Sequence, residues 1–75
     1  MNPIPLPNLP AGTDARIAGI DDDPAMARKL LSLGLRVGTR IHLLQQRRRG
    51  VVVATAGTRV ALGAGVADKV LVHLL

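Results

Sequence analysis

The chain has 75 residues, enough for one small domain, and it contains no cysteine and no Phe, Tyr or Trp. The absence of thiols excludes disulfides and thiolate metal sites, and the absence of aromatic rings disfavours single-stranded nucleic acids, which proteins bind by base stacking. Ten basic and five acidic residues give a net charge of +5, which favours acidic or anionic partners. No apolar run is long enough to span a bilayer and no signal-peptide pattern is present, so we expect a cytoplasmic domain that is not itself membrane-embedded.

The N-terminal segment, residues 1–12, is rich in proline. Proline has no backbone N–H to donate to a sheet, so we expect this segment to be extended and to pack on the domain through Leu6 and Leu9. Apolar and polar residues then alternate over residues 14–20, with Ala15 and Ile17 on the apolar side. This alternation predicts the first strand, with one face buried.

A helix is predicted after this strand. Asp23 is a suitable N-cap and Pro24 suits the first helical position, so the helix is expected to run to about residue 33. Helical spacing places three apolar residues on the face toward the core: Met26, Leu30 and Leu33. Two basic residues, Arg28 and Lys29, turn toward solvent.

Two glycines shape the chain after the helix. Gly34 fits the C′ position of a Schellman cap, in which Leu35 contacts Leu30. Gly38 fits the third position of a type II turn over residues 36–39, where a positive φ is required. A structural role is therefore assigned to the residues of this helix-turn-strand motif: Leu30, Leu33, Gly34, Leu35, Gly38 and Thr39.

The remainder of the chain is expected to be β-structure. The predicted strands cover residues 40–44, 51–55, 58–62 and 69–73, with a helical turn near residues 66–68. A polar loop over residues 45–50 is expected to close the first hairpin, and Ala56 and Gly57 the second. Five short strands would leave open edges unless the sheet curls, so residues 1–75 are predicted to form one mostly-β domain, a small barrel.

The chain offers poor material for acid-base or nucleophilic catalysis. Ser32 is the only serine and lies on the predicted exposed side of the helix, and the threonines lie at turns and strand ends. We therefore expect a binding protein rather than an enzyme. Its predicted contact surface consists of the basic loop residues Arg47, Arg48 and Arg49, with Arg28 and Lys29 as second choice.

The two histidines, His42 and His73, are the weak candidates for a metal site. Both are predicted to point outward from strands, and imidazole binds transition metals well at neutral pH. Two histidines do not fill a tetrahedral site, so a metal would need carboxylate help or a second subunit. We expect no required cofactor, with a surface-bound divalent transition metal as a possible ligand and solvated histidines as the simpler alternative.

The segment Leu30–Ile41, which reads Leu-Leu-Ser-Leu-Gly-Leu-Arg-Val-Gly-Thr-Arg-Ile, resembles the signature of the FeoA family, ferrous iron transport protein A. Residues 10–17 resemble the family's first strand, and residues 60–63 and 67–72 resemble its closing strands, so the resemblance covers residues 6–73. It implies an SH3-like barrel of about five strands with one α-helix inserted after the first strand. It also implies a cytoplasmic accessory role beside a ferrous iron permease.

The resemblance implies one partner in particular, the cytoplasmic GTP-binding portion of that permease. Family members are also similar to the C-terminal domain of metal-dependent repressors, so the fold alone does not decide the partner. Two alternatives stay open: a small basic nucleic-acid-binding barrel, which the lack of aromatic residues disfavours, and a metal-sensing regulatory domain. A homodimer is a further possibility.

Overall fold

Six strands and two helices are present in the residues that the computed structural model describes, 2–21 and 24–75. The strands are β1 (Ile4–Pro5), β2 (Asp14–Ile20), β3 (Arg40–Arg47), β4 (Gly50–Thr55), β5 (Thr58–Gly63) and β6 (Val70–Leu74). The helices are α1 (Pro24–Ser32) and α2 (Ala64–Ala67), and a short 3-10 helix covers Leu6–Asn8. The prediction of a mostly-β domain with a helix after the first long strand is confirmed. Among the described residues, no helix has the length and apolar character needed to cross a membrane.

The strands form one antiparallel sheet in the order β1-β6-β2-β3-β4-β5. The domain measures 29 × 26 × 24 Å. No pairing joins β1 to β5 among the described residues, so the sheet is not closed. Instead, α2 contacts β4, β5 and the 3-10 helix, and it thereby bridges the two ends of the sheet.

Strand alternation determines which side chains form the core. The predicted inward residues Ala15 and Ile17 are buried, and Leu6 and Leu9 anchor the proline-rich segment as expected. The segment is extended at β1, which pairs with β6 at the edge of the sheet, a position that tolerates proline. The core consists of aliphatic residues only: Leu6, Leu9, Ala15, Ile17, Leu30, Leu35, Ile41, Leu43, Val51, Val53, Val60, Leu62, Ala67, Val70 and Val72.

Helix α1 ends in the predicted Schellman cap. The N–H of Leu35 donates to the carbonyl of Leu30 at 2.9 Å, and the N–H of Gly34 donates to Leu31 at 2.9 Å, with Gly34 at φ +85°. Leu30 and Leu35 are both buried. The prediction for Leu33 is wrong, since this side chain is 40% exposed: α1 ends at Ser32, so Leu33 no longer follows the helical face that Leu30 occupies. The predicted cap residue Asp23 lies outside the described residues.

The predicted type II turn connects α1 to β3. The N–H of Thr39 donates to the carbonyl of Arg36 at 3.0 Å, and Gly38 has φ +95°. Two further backbone bonds attach the turn to β2, from Gly38 N–H to the carbonyl of Ile17 and from Ile17 N–H to the carbonyl of Thr39. The glycine motif therefore positions the start of β3 against β2.

The first hairpin differs from the predicted polar loop. Strand β3 continues through Gln45 and Gln46 to Arg47, so only Arg48 and Arg49 remain in the turn. The register shifts between Leu43 and Gln45, which marks a bulge at the intervening residue. After the bulge, polar side chains face solvent on a strand, and a polar composition therefore does not mark a loop here.

The second hairpin is the predicted turn at Ala56 and Gly57, with φ values of +47° and +81°. Positive φ at both central residues is typical of a type I′ turn, which suits the twist of paired strands. The following helical turn, α2, begins at Ala64, earlier than the predicted position, and the last strand is displaced by one residue to Val70–Leu74.

Candidate partner-binding surface

The outer face of the sheet carries many of the basic side chains of the strands. Most of these side chains alternate with a buried neighbour, for example Arg16 between Ala15 and Ile17. We call this surface the basic face and define it by its outward residues: Arg16, Arg40, His42, Arg47, Arg59 and His73. In the described part of the chain, Asp14 is the acidic residue that shares this face.

Three of these residues form a row across three strands. Arg16 on β2 lies directly opposite Arg40 on β3 and directly opposite His73 on β6. Like charges at opposed positions destabilise a sheet. Among residues 2–21 and 24–75, neither Arg16 nor Arg40 forms an ion pair, because the salt bridges found there involve Asp14 with His42 and Asp21 with Lys69. The positive charge of this row is therefore not compensated within the described chain.

A histidine–carboxylate pair lies next to this row. Nδ1 of His42 is 2.8 Å from Oδ1 of Asp14, and the two residues are direct cross-strand neighbours. The carboxylate accepts a hydrogen bond from Nδ1–H of the ring. In a neutral imidazole this tautomer leaves Nε2 as a hydrogen-bond acceptor. Both side chains are partly exposed, at 41% and 47%, and with Arg40 and Thr55 they line a shallow cavity of about 290 Å³.

The structure does not bring the two histidines together. Strand β2 lies between β3, which carries His42, and β6, which carries His73. Within the described ranges, no three His, Cys, Asp or Glu side chains form a group that could hold a metal. Metal binding at either histidine stays a prediction.

A second cavity, of about 310 Å³, lies near the turn of the first hairpin. It is lined by small or apolar residues that include Val52, Ala61 and Gly63, together with Arg47 and Arg49. Arg47, Gly50 and Gly63 occupy one cross-strand row, which explains why an arginine of β3 reaches a cavity beside β5.

The predicted contact residues fall into two groups in space. Arg47 and Arg49 line the same cavity, while Arg48 is exposed in the turn between them. Arg28 and Lys29 are exposed on α1 as predicted, but they line neither cavity. The structure therefore brings together two of the three loop arginines and leaves the helix pair separate.

The sequence-based candidates omit Arg16, Arg40 and Arg59. Alternation within each strand indicates that each of these side chains points outward. Which of them lie opposite one another depends on strand register, and register is fixed by long-range pairing that one sequence does not display.

Similar proteins have been described with this fold. A crystal structure of an iron uptake regulatory protein (FeoA) superposes with a TM-score of 0.90 at 30% identity, covering 97% of this chain and 99% of that chain. The predicted SH3-like fold is thereby confirmed, with the difference that the sheet is not closed. A manganese-dependent transcriptional repressor in complex with manganese contains the same fold, with a TM-score of 0.91 and 30% identity; the match covers 97% of this chain but 37% of the repressor.

Sequence comparison agrees with the structural one. A curated protein of Methanocaldococcus jannaschii, named "Putative Fe(2+) transport protein A", is 26% identical over 69 residues, which cover 92% of this chain and 84% of that protein. The FeoA domain pattern matches residues 4–74, from the first residue of β1 to the last residue of β6. The resemblance inferred from the helix-turn-strand motif is confirmed: the chain belongs to the FeoA family.

Proposed function

We propose that this protein is a non-catalytic accessory protein of a ferrous iron transport system, which binds the cytoplasmic GTP-binding portion of an iron permease and modulates uptake. The observation that carries the proposal is the family match over residues 4–74. The M. jannaschii relative, whose name refers to Fe(2+) transport, supports the same assignment.

The charge distribution supports a role in binding. Arg16 and Arg40 lie opposite each other without an ion-pair partner among the described residues, an arrangement that lowers sheet stability. An acidic surface of a partner would relieve this repulsion and would increase the association rate at low salt. The contact surface that we propose is the first hairpin, where Arg47 of the basic face continues into Arg48 and Arg49 of the turn, with Arg28 and Lys29 on α1 as the second choice.

A binding measurement with two matched charge reversals tests this proposal. The double variant Arg47→Glu, Arg49→Glu is compared with Arg28→Glu, Lys29→Glu, which changes the net charge equally on exposed residues of α1. We expect the hairpin variant to bind the isolated GTP-binding portion at least about tenfold more weakly, and the helix variant to bind as the parent does. Equal losses in both variants would show that net charge, and not this surface, governs binding.

Uptake of ferrous iron tests the role itself. We expect a strain that lacks the protein to take up less or more Fe²⁺ than the parent, and expression of the parent chain to restore the original rate. The hairpin double variant should fail to restore it, whereas the helix double variant should succeed. Unchanged uptake in the deletion strain would contradict the proposed function.

A further inference from the structure

Strand β5 lies at one edge of the sheet, and this edge is open. Strand β5 pairs with β4 and ends the sheet, and among residues 2–21 and 24–75 no strand lies on its other side. Thr55 and Thr58 flank the two-residue turn and therefore form a hydrogen-bonded pair. Hydrogen-bonded pairs alternate along antiparallel strands, so the N–H and C=O groups of Arg59 and Ala61 point away from β4, toward the open edge.

Helix α2 follows β5 directly and contacts it, and the edge of β5 itself is long and free of proline. Six residues form β5 and none is proline, whereas the opposite edge strand, β1, has two residues of which one is Pro5. Ala61 is exposed and has a small side chain, and Gly63 has none. An edge with these properties is the usual site at which a sheet accepts an additional strand.

The surroundings of this edge are strongly basic. Arg59 projects from β5 itself, and Arg47 and Arg49 line the 310 Å³ cavity that borders Ala61 and Gly63. Two copies of β5 paired through this edge would bring two sets of arginines to one interface, which disfavours pairing between two copies of this chain. An added strand with carboxylates would instead complement all three arginines.

We propose that the edge of β5 accepts an extended acidic segment of a partner protein as an additional antiparallel or parallel strand. Main-chain hydrogen bonds to Arg59 and Ala61 hold the segment, and its carboxylates face Arg59 and Arg47. The absence of aromatic residues argues against a nucleic acid at this surface. In addition, a nucleic acid has no peptide backbone that could pair with an open strand edge. The inference concerns the chemistry of the segment, so it stands or fails independently of the identity proposed for the partner.

Nuclear magnetic resonance with the full chain tests the inference directly. The probe is a short synthetic peptide of alternating Glu and Val, compared with the same peptide in which Lys replaces Glu. We expect the Glu peptide to bind and to slow amide hydrogen exchange at Arg59 and Ala61, and the Lys peptide not to bind. Absence of binding, equal binding of both peptides, or unchanged exchange at these two amides would overturn the proposal. Competition by a short single-stranded DNA, without protection of the edge amides, would assign the surface to nucleic acid instead and would also overturn it.

Two variants separate the backbone contribution from the charge contribution. Ala61→Pro removes an outward N–H without removing a hydrogen bond to β4, and we expect about tenfold weaker peptide binding. Arg59→Glu leaves the backbone intact, so it tests the proposal even if the proline variant does not fold, and we again expect about tenfold weaker binding. Arg36→Glu, in the exposed turn between α1 and β3, is the control and should bind as the parent does. Equal weakening by Arg36→Glu would show unspecific attraction and would contradict a site at β5.

Discussion

Gly50 occupies a position where even a methyl group would collide with backbone. A Cβ at this residue would overlap the carbonyl oxygen of Leu62 and would lie 3.0 Å from the Cα of Gly63, and its φ is +152°. Neither neighbour can rotate away, because both belong to the backbone of β5. Overpacking costs about 1–3 kcal/mol and an unfavourable φ about 1–2 kcal/mol, so we expect Gly50→Ala to lower the free energy of unfolding by about 3 kcal/mol.

Two other glycines provide matched controls. Gly38 has φ +95° but open space around the position of a Cβ. Gly38→Ala should therefore lower the free energy of unfolding by only about 1 kcal/mol, from backbone strain alone. Gly65 lies in α2 with neither a positive φ nor a neighbour within 4 Å. Gly65→Ala should therefore raise the free energy of unfolding by about 0.5–1 kcal/mol through higher helix propensity.

Far-UV circular dichroism is the appropriate probe, because a chain without Phe, Tyr or Trp gives no intrinsic fluorescence signal. For a domain of this size, a loss of 3 kcal/mol lowers Tm by roughly 12–24 °C, and a loss of 1 kcal/mol by roughly 4–8 °C. The expected order of Tm is Gly65→Ala above the parent, then Gly38→Ala, then Gly50→Ala. Equal Tm values for Gly50→Ala and Gly38→Ala would contradict the close approach of β4 to β5 at residue 50.

Three further substitutions test local features of the fold by thermal and urea unfolding. Ala56→Asn should raise the free energy of unfolding by about 0.5–1 kcal/mol, because Asn tolerates the left-handed conformation that Ala56 adopts at φ +47°; a lower Tm would argue against the type I′ turn. Leu30→Ala should lower the free energy of unfolding by about 2–5 kcal/mol, since Leu30 is fully buried, whereas Leu33→Ala should change it by less than about 1 kcal/mol. Similar losses in the free energy of unfolding for Leu30→Ala and Leu33→Ala would contradict the exposed position of Leu33.

The features that the sequence predicts well are those that short-range chemistry determines. The cap at Gly34 and the turn at Gly38 each require a backbone conformation that glycine adopts readily, and the structure has both. Inward positions such as Ala15 and Ile17 follow from strand alternation, because one face of a half-buried strand must be apolar.

The errors arise where composition and structure are only loosely linked. Gln45 and Arg47 were expected in a loop because they are polar, but a strand with a solvated outer face accepts polar side chains equally well. Leu33 was expected on the core face because the helical period was extended one residue too far. The opposition of Arg16 and Arg40 depends on register between two strands separated by a helix, so no local pattern contains it.

The pairing of β1 with β6 also has a consequence for how this domain can be joined to other polypeptides. Ile4 and Val72 are direct partners, which places their Cα atoms about 5 Å apart. Sequence attached before β1 and sequence attached after β6 would therefore leave the domain from one place on its surface. A unit with adjacent ends can be inserted into, or appended to, a longer chain without distortion, and it is suited to circular permutation with new ends at the Ala56–Gly57 turn. In the manganese-dependent repressor the same fold covers 37% of a longer chain, which agrees with a domain whose two ends are adjacent.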